Sequence, residues 1–441
     1  MKKFSPLLFI TIAILFQRCQ NLEDAPIDNR NTFMHFYEGG NSYVASAAEI
    51  TSDGGFIIIG TITVIGDVNE SKMVIIKTDR FGQRLYDETI IDGGTSSSVM
   101  ETNNGYIVLG DSIQFNLNSE RTSDLVNNWS RMVTLNAELE VQTDRSFALS
   151  KDDPNDPNDF HVDFHAKSIT KDNQGNLITL GSFRVPGATE NSFIAALDAI
   201  TLDTIWREQY NYIDRNYTLA KGMYYNPSGN IMWASSLTIT QGVFNKGYVT
   251  IPVVKDSSTF VNSDYYGEIS DRTFILNDLR PAAIGYCAIG TISPQAEEKK
   301  GNLFFIKVDN NGNFKPGSAK YFDGVLSENN TSLDNDSTET VSDDTGDAIT
   351  STKDGGYLLG GTLTTTPQRG NGGKDIWLIR LDAEGKVLWN KIIGGSTDET
   401  IASIRETSDG GFLICGSKSF GVGGQSSIML IKTDKNGELR N

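Results

Sequence analysis

The sequence has little cysteine, histidine and proline, with 3, 3 and 11 residues of these types among 441. So few cysteines exclude a disulfide-stapled scaffold and a cysteine-rich zinc module. No interior segment approaches the roughly 20 apolar residues that a membrane-spanning helix needs. Aspartate and glutamate outnumber lysine and arginine by 56 to 38, for a formal net charge of −18. This balance argues against nucleic acid as a partner and favours divalent cations or basic protein surfaces.

Glycine, by contrast, is abundant and stands at fixed places in repeated phrases. A Thr-x-Asp-Gly-Gly-aromatic phrase that runs into an apolar stretch occurs at 51–60, 352–361 and 407–416. This pattern predicts a tight hairpin turn followed by a buried strand. A second phrase, an apolar run closed by Asp-x-x-Gly, occurs at 72–82, 302–312, 375–385 and 427–437. It predicts a strand that ends in a turn, because aspartate accepts backbone N–H bonds and glycine adopts positive φ.

The residue that opens the first buried strand of each repeat gives a count of seven. These residues are Phe56, Tyr106, Leu177, Ile231, Tyr286, Tyr357 and Phe412. Their spacings of 50 to 71 residues accommodate four strands and variable loops, and the longest ones mark insertions at 116–159 and 327–347. The last repeat lacks its closing strand, and the segment 32–40 resembles that strand. We therefore predict an all-β, seven-bladed β-propeller of four-stranded blades, with the last blade closed by an N-terminal strand.

The first residues have the pattern of a targeting segment. Lys2 and Lys3 precede an apolar run at 7–16, which Cys19 follows closely. This arrangement resembles a bacterial lipoprotein precursor, and the acidic residues after Cys19 resemble the surface-export signal of Bacteroidetes-type lipoproteins. The resemblance implies a signal peptide at 1–18, lipidation of Cys19, an acidic tether at 19–31 and one propeller domain at 32–441. The protein would then be exposed on the outer membrane and would contact it through the lipid anchor only. A secreted or periplasmic protein is the alternative.

The two repeated phrases resemble those of bacterial seven-bladed β-propeller surface proteins. The resemblance covers roughly residues 32 to 441. It implies the fold and says almost nothing about activity, because propellers include enzymes, lectins and scaffolds.

One short segment has the composition of a transition-metal site. Strand periodicity places His161, Asp163 and His165 on the same face, and two imidazoles with a carboxylate suit such an ion. The alternative is a half-buried strand with a polar face.

Two acidic segments could bind calcium, which takes oxygen ligands from loops. One is 152–159, and the other contains Asp334, Asp336, Asp343, Asp344 and Asp347. Solvated insertion loops are the alternative. No other cofactor is assigned. The segment 309–313 resembles half of a calcium loop, but its place in the repeat predicts a hairpin turn instead. We expect Cys287 and Cys415 to be two separate buried thiols.

The sequence contains no Gly-x-Ser-x-Gly, His-Glu-x-x-His or phosphate-binding glycine motif. We therefore predict a non-enzymatic binding or accessory module on the bacterial cell surface. It would recognise an envelope protein or a glycan through loops on one propeller face, with the two insertions as the best candidates for contact. One alternative is a glycan-processing enzyme with paired carboxylates at the central channel, drawn from Asp163, Asp347 and Asp398. Another is a structural envelope lipoprotein.

Overall fold

The computed structural model describes residues 31–64, 71–115, 126–147, 163–184, 191–210, 215–241, 244–254, 260–262, 265–270, 272–294, 301–323, 343–364, 373–420 and 425–439. These residues form β-strands and turns, and no α-helix occurs among them. The part of the chain that is described therefore contains no helix of the length and apolarity required to cross a membrane.

The strands follow the repeats, with β1 (Phe33–Tyr37) before the first repeat. The first three repeats contain β2 (Ser42–Ile50), β3 (Phe56–Thr63), β4 (Ser71–Thr78), β5 (Thr89–Asp92), β6 (Gly94–Thr102), β7 (Gly105–Phe115), β8 (Val126–Leu135), β9 (Val141–Phe147), β10 (Asp163–Lys171), β11 (Leu177–Arg184), β12 (Asn191–Leu197) and β13 (Thr204–Tyr210). The fourth contains β14 (Arg215–Tyr225), β15 (Ile231–Gln241), β16 (Phe244–Thr250), β17 (Val253–Val254), β18 (Phe260–Asn262) and β19 (Tyr265–Ser270). The last three contain β20 (Arg272–Pro281), β21 (Tyr286–Pro294), β22 (Asn302–Val308), β23 (Lys320–Phe322), β24 (Thr345–Ser351), β25 (Tyr357–Thr364), β26 (Lys374–Leu381), β27 (Val387–Ile393), β28 (Glu399–Glu406), β29 (Phe412–Ser419) and β30 (Ser426–Thr433).

Outside the fourth repeat, the repeats fold as antiparallel meanders in which successive strands pair with each other, and in the last repeat β1 supplies the fourth strand. Five sheets have four strands each. A ten-stranded sheet contains the fourth and fifth repeats, which are joined through a single parallel pair, Lys221 with Asp278. When this sheet is divided at that pair, the described residues form seven units. The seven predicted opening residues lie at the start of the second strand of each unit, as the sequence indicates.

The second and third strands of a unit are buried on both faces because each sheet lies between two others. In β3, Ile57 and Ile59 pack in a cluster shared with the second unit, whereas Ile58 packs in a cluster shared with the last unit. Alternate side chains of a strand point to opposite faces, so a continuous apolar run supplies two cores at once. Seven such clusters occur among the described residues, one between each pair of consecutive units.

The ring closes between the first and last units. Strand β1 pairs with β30, with Phe33 opposite Lys432 and Tyr37 opposite Ile428. The Tyr37 hydroxyl also donates a hydrogen bond to the Gly82 carbonyl at 2.7 Å. The first strands of the units contact one another in order, and β28 contacts β2. The protein is therefore a β-propeller whose last sheet is completed by the N-terminal strand, which confirms the prediction.

The Thr-x-Asp-Gly-Gly turns are held by an aspartate that contacts three partners. Asp53 Oδ1 accepts hydrogen bonds from Thr51 Oγ1 at 2.5 Å and from the Gly55 amide at 2.9 Å. Asp53 Oδ2 lies 2.8 Å from the Lys77 ammonium of β4. We call this arrangement the turn clasp. It recurs as Asp354 with Arg380 and as Asp409 with Lys432.

The Asp-x-x-Gly turns also form as predicted. Asp309 Oδ1 accepts the amides of Asn311 at 2.8 Å and Asn313 at 2.9 Å, and Gly312 adopts a φ of +84°. This segment is a hairpin turn, so the interpretation as a turn is confirmed.

Both remaining cysteines are free and fully buried. Cys287 lies between the fifth and sixth units, and Cys415 lies between the seventh and first units. Burial raises the pKa of both thiols, that of Cys415 to about 12. Two separate buried thiols are therefore confirmed.

The fourth unit departs from the predicted four strands. Its third strand is interrupted between β16 and β17, and both pieces pair with β15. Pro252 lies in the gap, where it has no N–H for the ladder while its carbonyl accepts a hydrogen bond from the Trp233 amide at 3.3 Å.

Candidate functional site

A β-bulge occurs at the same place in the first strand of every unit. In each case the pairing with the second strand slips, which leaves at least one residue of the first strand without a partner. The central residues of these seven bulges are Ser46, Ser97, Lys167, Lys221, Asn277, Asp347 and Ala402. We call them the bulge ring. All seven line the cavities of the central channel, because the bulge turns them away from the sheets.

The fourth unit has the largest bulge, and it places a lysine across the channel. Between Leu219 and Met223, three residues of β14 lie opposite one residue of β15. Gly222 adopts a φ of +92°, and a Cβ there would lie 2.3 Å from the Leu279 carbonyl oxygen, so the position requires glycine. This backbone projects Lys221 into the channel.

The Lys221 ammonium reaches the far side of the ring. It donates hydrogen bonds to the Ser46 carbonyl at 3.1 Å and to the Ala402 carbonyl at 3.2 Å, in the first and seventh units. Burial lowers the pKa of Lys221, with opposing attraction from Asp278. Lys221 and Lys167 line both described channel cavities, so they mark the waist of the channel.

The two ends of the channel belong to two different rims. The first rim, here the turn rim, carries the turns between strands one and two and between strands three and four of each unit, such as 51–55 and 79–83. The connection rim carries the links between strands two and three and between successive units. Each first strand runs from the connection rim to the turn rim. Residues that follow the bulge therefore face the turn rim.

The turn-side cavity has a volume of about 250 Å³ and is lined by residues that follow the bulges. Arg405 binds both carboxylate oxygens of Glu49 through its Nε and Nη2 groups. Burial alone would raise the pKa of Glu49, but Arg405 outweighs it and holds that pKa below its usual value. Arg280 pairs with Asp278 at 3.0 Å, and its Nη1 donates to the Tyr224 hydroxyl at 3.0 Å.

The connection-side cavity has a volume of about 350 Å³. Its polar lining comes from six of the seven units, namely from Ser46, Ser96, Ser97, Lys167, Lys221, Asn277 and Asp347. Asp347 Oδ2 accepts hydrogen bonds from Thr345 Oγ1 at 2.7 Å and Thr362 Oγ1 at 2.9 Å. Burial nevertheless raises the pKa of Asp347, against the lowering effect of these hydroxyls and of Lys221.

The predicted transition-metal residues are described only in part. His161 lies outside the described residues, and only the backbone of Asp163 is described, where it pairs with Arg184 at the start of β10. His165 Nδ1 lies 2.9 Å from Asp111 Oδ2 of the neighbouring unit, and Asp111 also accepts the Ala166 amide at 2.8 Å. Among the described side chains, no group of three His, Cys, Asp or Glu residues is placed to hold a metal ion. The metal site stays a prediction.

The predicted calcium residues also extend beyond the described part of the chain. Asp334 and Asp336 lie outside it. The Asp343 carbonyl accepts the Thr364 hydroxyl, and the buried Asp344 carboxylate accepts the Thr364 amide at 3.1 Å. Asp347 lies in the channel. The calcium loop therefore stays a prediction.

Two of the three carboxylates considered for glycan processing, Asp347 and Asp398, have described side chains, and of these two Asp347 lines a described cavity. Asp398 is exposed on the connection rim, where its carboxylate accepts the Lys374 amide at 2.9 Å and its carbonyl accepts the Ser419 amide at 2.8 Å. The channel instead contains Glu49, which sequence reasoning missed.

Sequence reasoning also missed the bulge ring as a set. Each ring residue precedes the opening residue of the second strand by ten positions, or by nine where the turn is one residue shorter. This constant offset was visible in the sequence, but a bulge breaks the two-residue periodicity from which facing is inferred.

Comparisons with known proteins give the fold at most. No protein family model and no curated protein matches the chain. A solved structure titled the Dos1 propeller aligns with 92% of this chain and 83% of its own, at 12% identity and a TM-score of 0.48. A puromycin hydrolase mutant aligns at 10% identity and a TM-score of 0.48, with 88% of this chain but only 53% of its own. A Trypanosoma rangeli sialidase aligns at 7% identity and a TM-score of 0.42, with 78% of this chain and 56% of its own. The assignment as a propeller therefore rests on the strand pairing and ring closure described above.

Proposed function

We propose that this protein is a binding or accessory module of the bacterial cell surface, anchored through a lipid on Cys19. It recognises an envelope protein or a glycan at the connection rim. The observation that supports this choice of rim is the connection-side cavity, in which six units present hydroxyl, amide, carboxyl and ammonium groups together. Such a lining offers donors and acceptors in several directions, which suits a polar ligand.

The strand topology supports the same rim. Within the predicted insertion 116–159, residues 126–135 and 141–147 are the regular strands β8 and β9. The parts of the two predicted insertions that remain as links are 116–125, between strands two and three, and 148–159 and 327–342, between successive units. Such links start and end at the connection rim. A rigid ring with variable connections on one side is a common way to build a binding face.

The experiment is affinity capture with the full chain, purified in mild detergent, as bait. Detergent-solubilised envelope and cell-surface polysaccharides are tested in parallel. One variant shortens the segment 327–342, and a second carries Asn277→Ala in the connection-side cavity. Lys435→Ala, an exposed substitution in a turn of the opposite rim, is the matched control. We expect a stoichiometric protein or a retained polysaccharide that either of the first two variants loses and the control keeps. Loss of binding in Lys435→Ala alone would contradict the assignment of the rim.

A glycan-processing enzyme is the second candidate, favoured by the raised pKa of Asp347 in the connection-side cavity. A general acid needs a carboxyl group whose pKa is raised above its usual value. The other titratable groups in the described lining are Lys167 and Lys221, so a second carboxylate does not stand opposite Asp347 there. Shortening of a bound polysaccharide, abolished by Asp347→Asn, would establish the enzyme in place of the binding module.

A further inference from the structure

The turn-side cavity is electropositive although the protein as a whole is strongly acidic. Its lining includes four cationic side chains, those of Lys167, Lys221, Arg280 and Arg405. The carboxylates in direct contact with them are Glu49 and Asp278. The cavity therefore contains more positive than negative groups in a chain whose formal charge is −18.

The four cationic side chains differ in how many hydrogen bonds and ion pairs they make with the described residues. Arg405 is engaged by Glu49 in a two-point contact, and the Lys221 ammonium by two carbonyls. Arg280 uses Nε for Asp278 and Nη1 for Tyr224. Lys167 makes no hydrogen bond or ion pair with the described residues. An ammonium that faces a polar cavity and has no partner among the described residues is stabilised by an anion.

We propose that the turn-side cavity binds a compact oxyanion, a sulfate, phosphate or carboxylate group, held by Lys167 together with Arg280. This site is separate from the connection-side cavity, although Lys167 and Lys221 reach both. The oxyanion places negative charge beside two lysines that otherwise repel each other across the waist of the channel.

The volume of the cavity limits the ligand. About 250 Å³ corresponds to roughly eight water molecules at about 30 Å³ each. Drug-sized ligands occupy cavities of about 300 to 1,000 Å³. An oxyanion of five heavy atoms with a few waters fits this volume, and so does one acidic group of a sugar.

Residues that line the cavity on the side of the turn rim keep part of their surface accessible. The Glu49 side chain retains 31% of its accessible surface, and that of Arg280 retains 19%. The acidic surface of the protein disfavours the approach of an anion, but salt screens that repulsion beyond about 8 Å at physiological ionic strength. Close contacts inside the cavity therefore decide the affinity.

Isothermal titration calorimetry of the full chain tests the proposal. Sodium sulfate, sodium phosphate and sodium glucuronate are titrated separately at constant ionic strength set with sodium chloride. The first two represent free inorganic anions, and glucuronate represents an acidic group on a glycan. We expect saturable one-to-one binding of at least one of them. Lys167→Gln should weaken it about tenfold, which is the size of one lost charge-assisted contact.

Two controls make the test specific. Lys171→Gln removes an exposed lysine four residues further along the same strand, and Lys435→Ala removes an exposed lysine from a turn of the turn rim. Both should leave the affinity within about twofold of the unaltered chain. Thermal unfolding without ligand verifies that Lys167→Gln is folded, and Lys167→Glu should abolish binding if the charge is responsible.

Three results would overturn the proposal. They are the absence of saturable binding for all three anions, binding that Lys167→Gln leaves unchanged, and binding that Lys171→Gln weakens equally. Each of these outcomes leaves the proposed connection-rim function standing, since that function is measured by capture and not by anion titration.

Discussion

Removing the aspartate and removing the lysine of the turn clasp should destabilise the protein by different amounts. Lys77 is buried, with 2% of its side chain exposed, whereas 54% of the Asp53 side chain is exposed. Removing the aspartate leaves a buried ammonium behind, while removing the lysine leaves a carboxylate that water can solvate. We therefore expect Asp53→Asn to destabilise the protein more than Lys77→Met does.

The magnitude follows from the pKa of Asp53. Burial alone would raise it, but Lys77, Thr51 and the Gly55 amide outweigh burial and lower it to about 2. Against an unfolded-state pKa of about 3.9, this gives an upper limit of about 2.6 kcal/mol. Because Asp53 is more than half exposed, screening reduces its share to about 1 kcal/mol. Asparagine keeps the oxygen that Thr51 and Gly55 use, so the substitution isolates the charge.

In Asp53→Asn, the buried Lys77 ammonium also loses its ion-pair partner, which adds to the loss in the free energy of unfolding. Lys77 retains hydrogen bonds to Thr51 Oγ1 at 3.1 Å and to the Thr78 carbonyl at 3.0 Å, so about 1 kcal/mol more is expected. Asp53→Asn should thus cost about 2 kcal/mol, and Lys77→Met about 1 kcal/mol or less because methionine fills the same space. The double variant should be about as stable as Lys77→Met, since the asparagine then strands no charge.

Urea unfolding at pH 7, with the m-value compared among variants, measures these differences. The folded-state pKa of Asp53 lies below the unfolded one, so its contribution is present above about pH 4 and is lost as the pH falls through about 2. The same order should hold for Asp409→Asn and Lys432→Met in the last unit. A larger loss for Lys77→Met than for Asp53→Asn, or a difference that does not change with pH, would refute the reasoning.

Three further predictions concern the ring and the channel. Tyr37→Phe removes the hydroxyl that binds the Gly82 carbonyl and should cost about 1 kcal/mol in urea unfolding, whereas an unchanged midpoint would show that water replaces it. Asp347→Asn should raise the melting temperature at pH 7 but not at pH 4. Burial raises the folded-state pKa of Asp347, so the stability that this group contributes is present below the unfolded-state pKa and is lost as the pH rises. Asparagine removes the charge, and its side-chain oxygen still accepts both threonine hydroxyls. Gly222→Ala should destabilise by roughly 2 to 4 kcal/mol, because its φ is positive and its Cβ would contact the Leu279 carbonyl; a stable variant would mean that the wide bulge can rearrange.

Much of the fold could be predicted because the same physical requirement recurs seven times. A strand between two sheets must be apolar on both faces, which gives the continuous run at Phe56 and its counterparts. A tight turn needs residues such as Asp53 and Gly54, which gives the repeated polar phrase. The N-terminal closing strand was predictable because the segment around Phe33 matched a missing element.

The channel was less predictable because its residues are placed by bulges. Sequence periodicity assigns faces by counting residues, and one extra residue reverses the assignment. Asp347 was singled out as one of several acidic residues, but its position at a bulge was not foreseen. Asp398 was placed at the channel because it stands near the start of a first strand, whereas only residues at and after the bulge reach the turn-side cavity. Glu49 and Arg405 come from different units, so their pairing depends on ring closure.

The repeats that agree best in sequence are not the ones that supply the lysines of the channel. The turn clasp occurs in the sixth, seventh and first units, which are consecutive around the ring. Lys167 and Lys221 come from the third and fourth units, whose turn phrases have drifted from the repeat.

A repeat needs only its turns and its apolar runs to fold, and so a residue that departs from the pattern without serving the turn or the core requires another explanation. Lys221 departs in this way: it requires a wide bulge and an obligatory glycine, and it is buried at a cost to its charge. Its ammonium then joins the drifted side of the ring to the carbonyls of the first and seventh units. The boundary between the third and fourth units is therefore where we expect ligand specificity to lie.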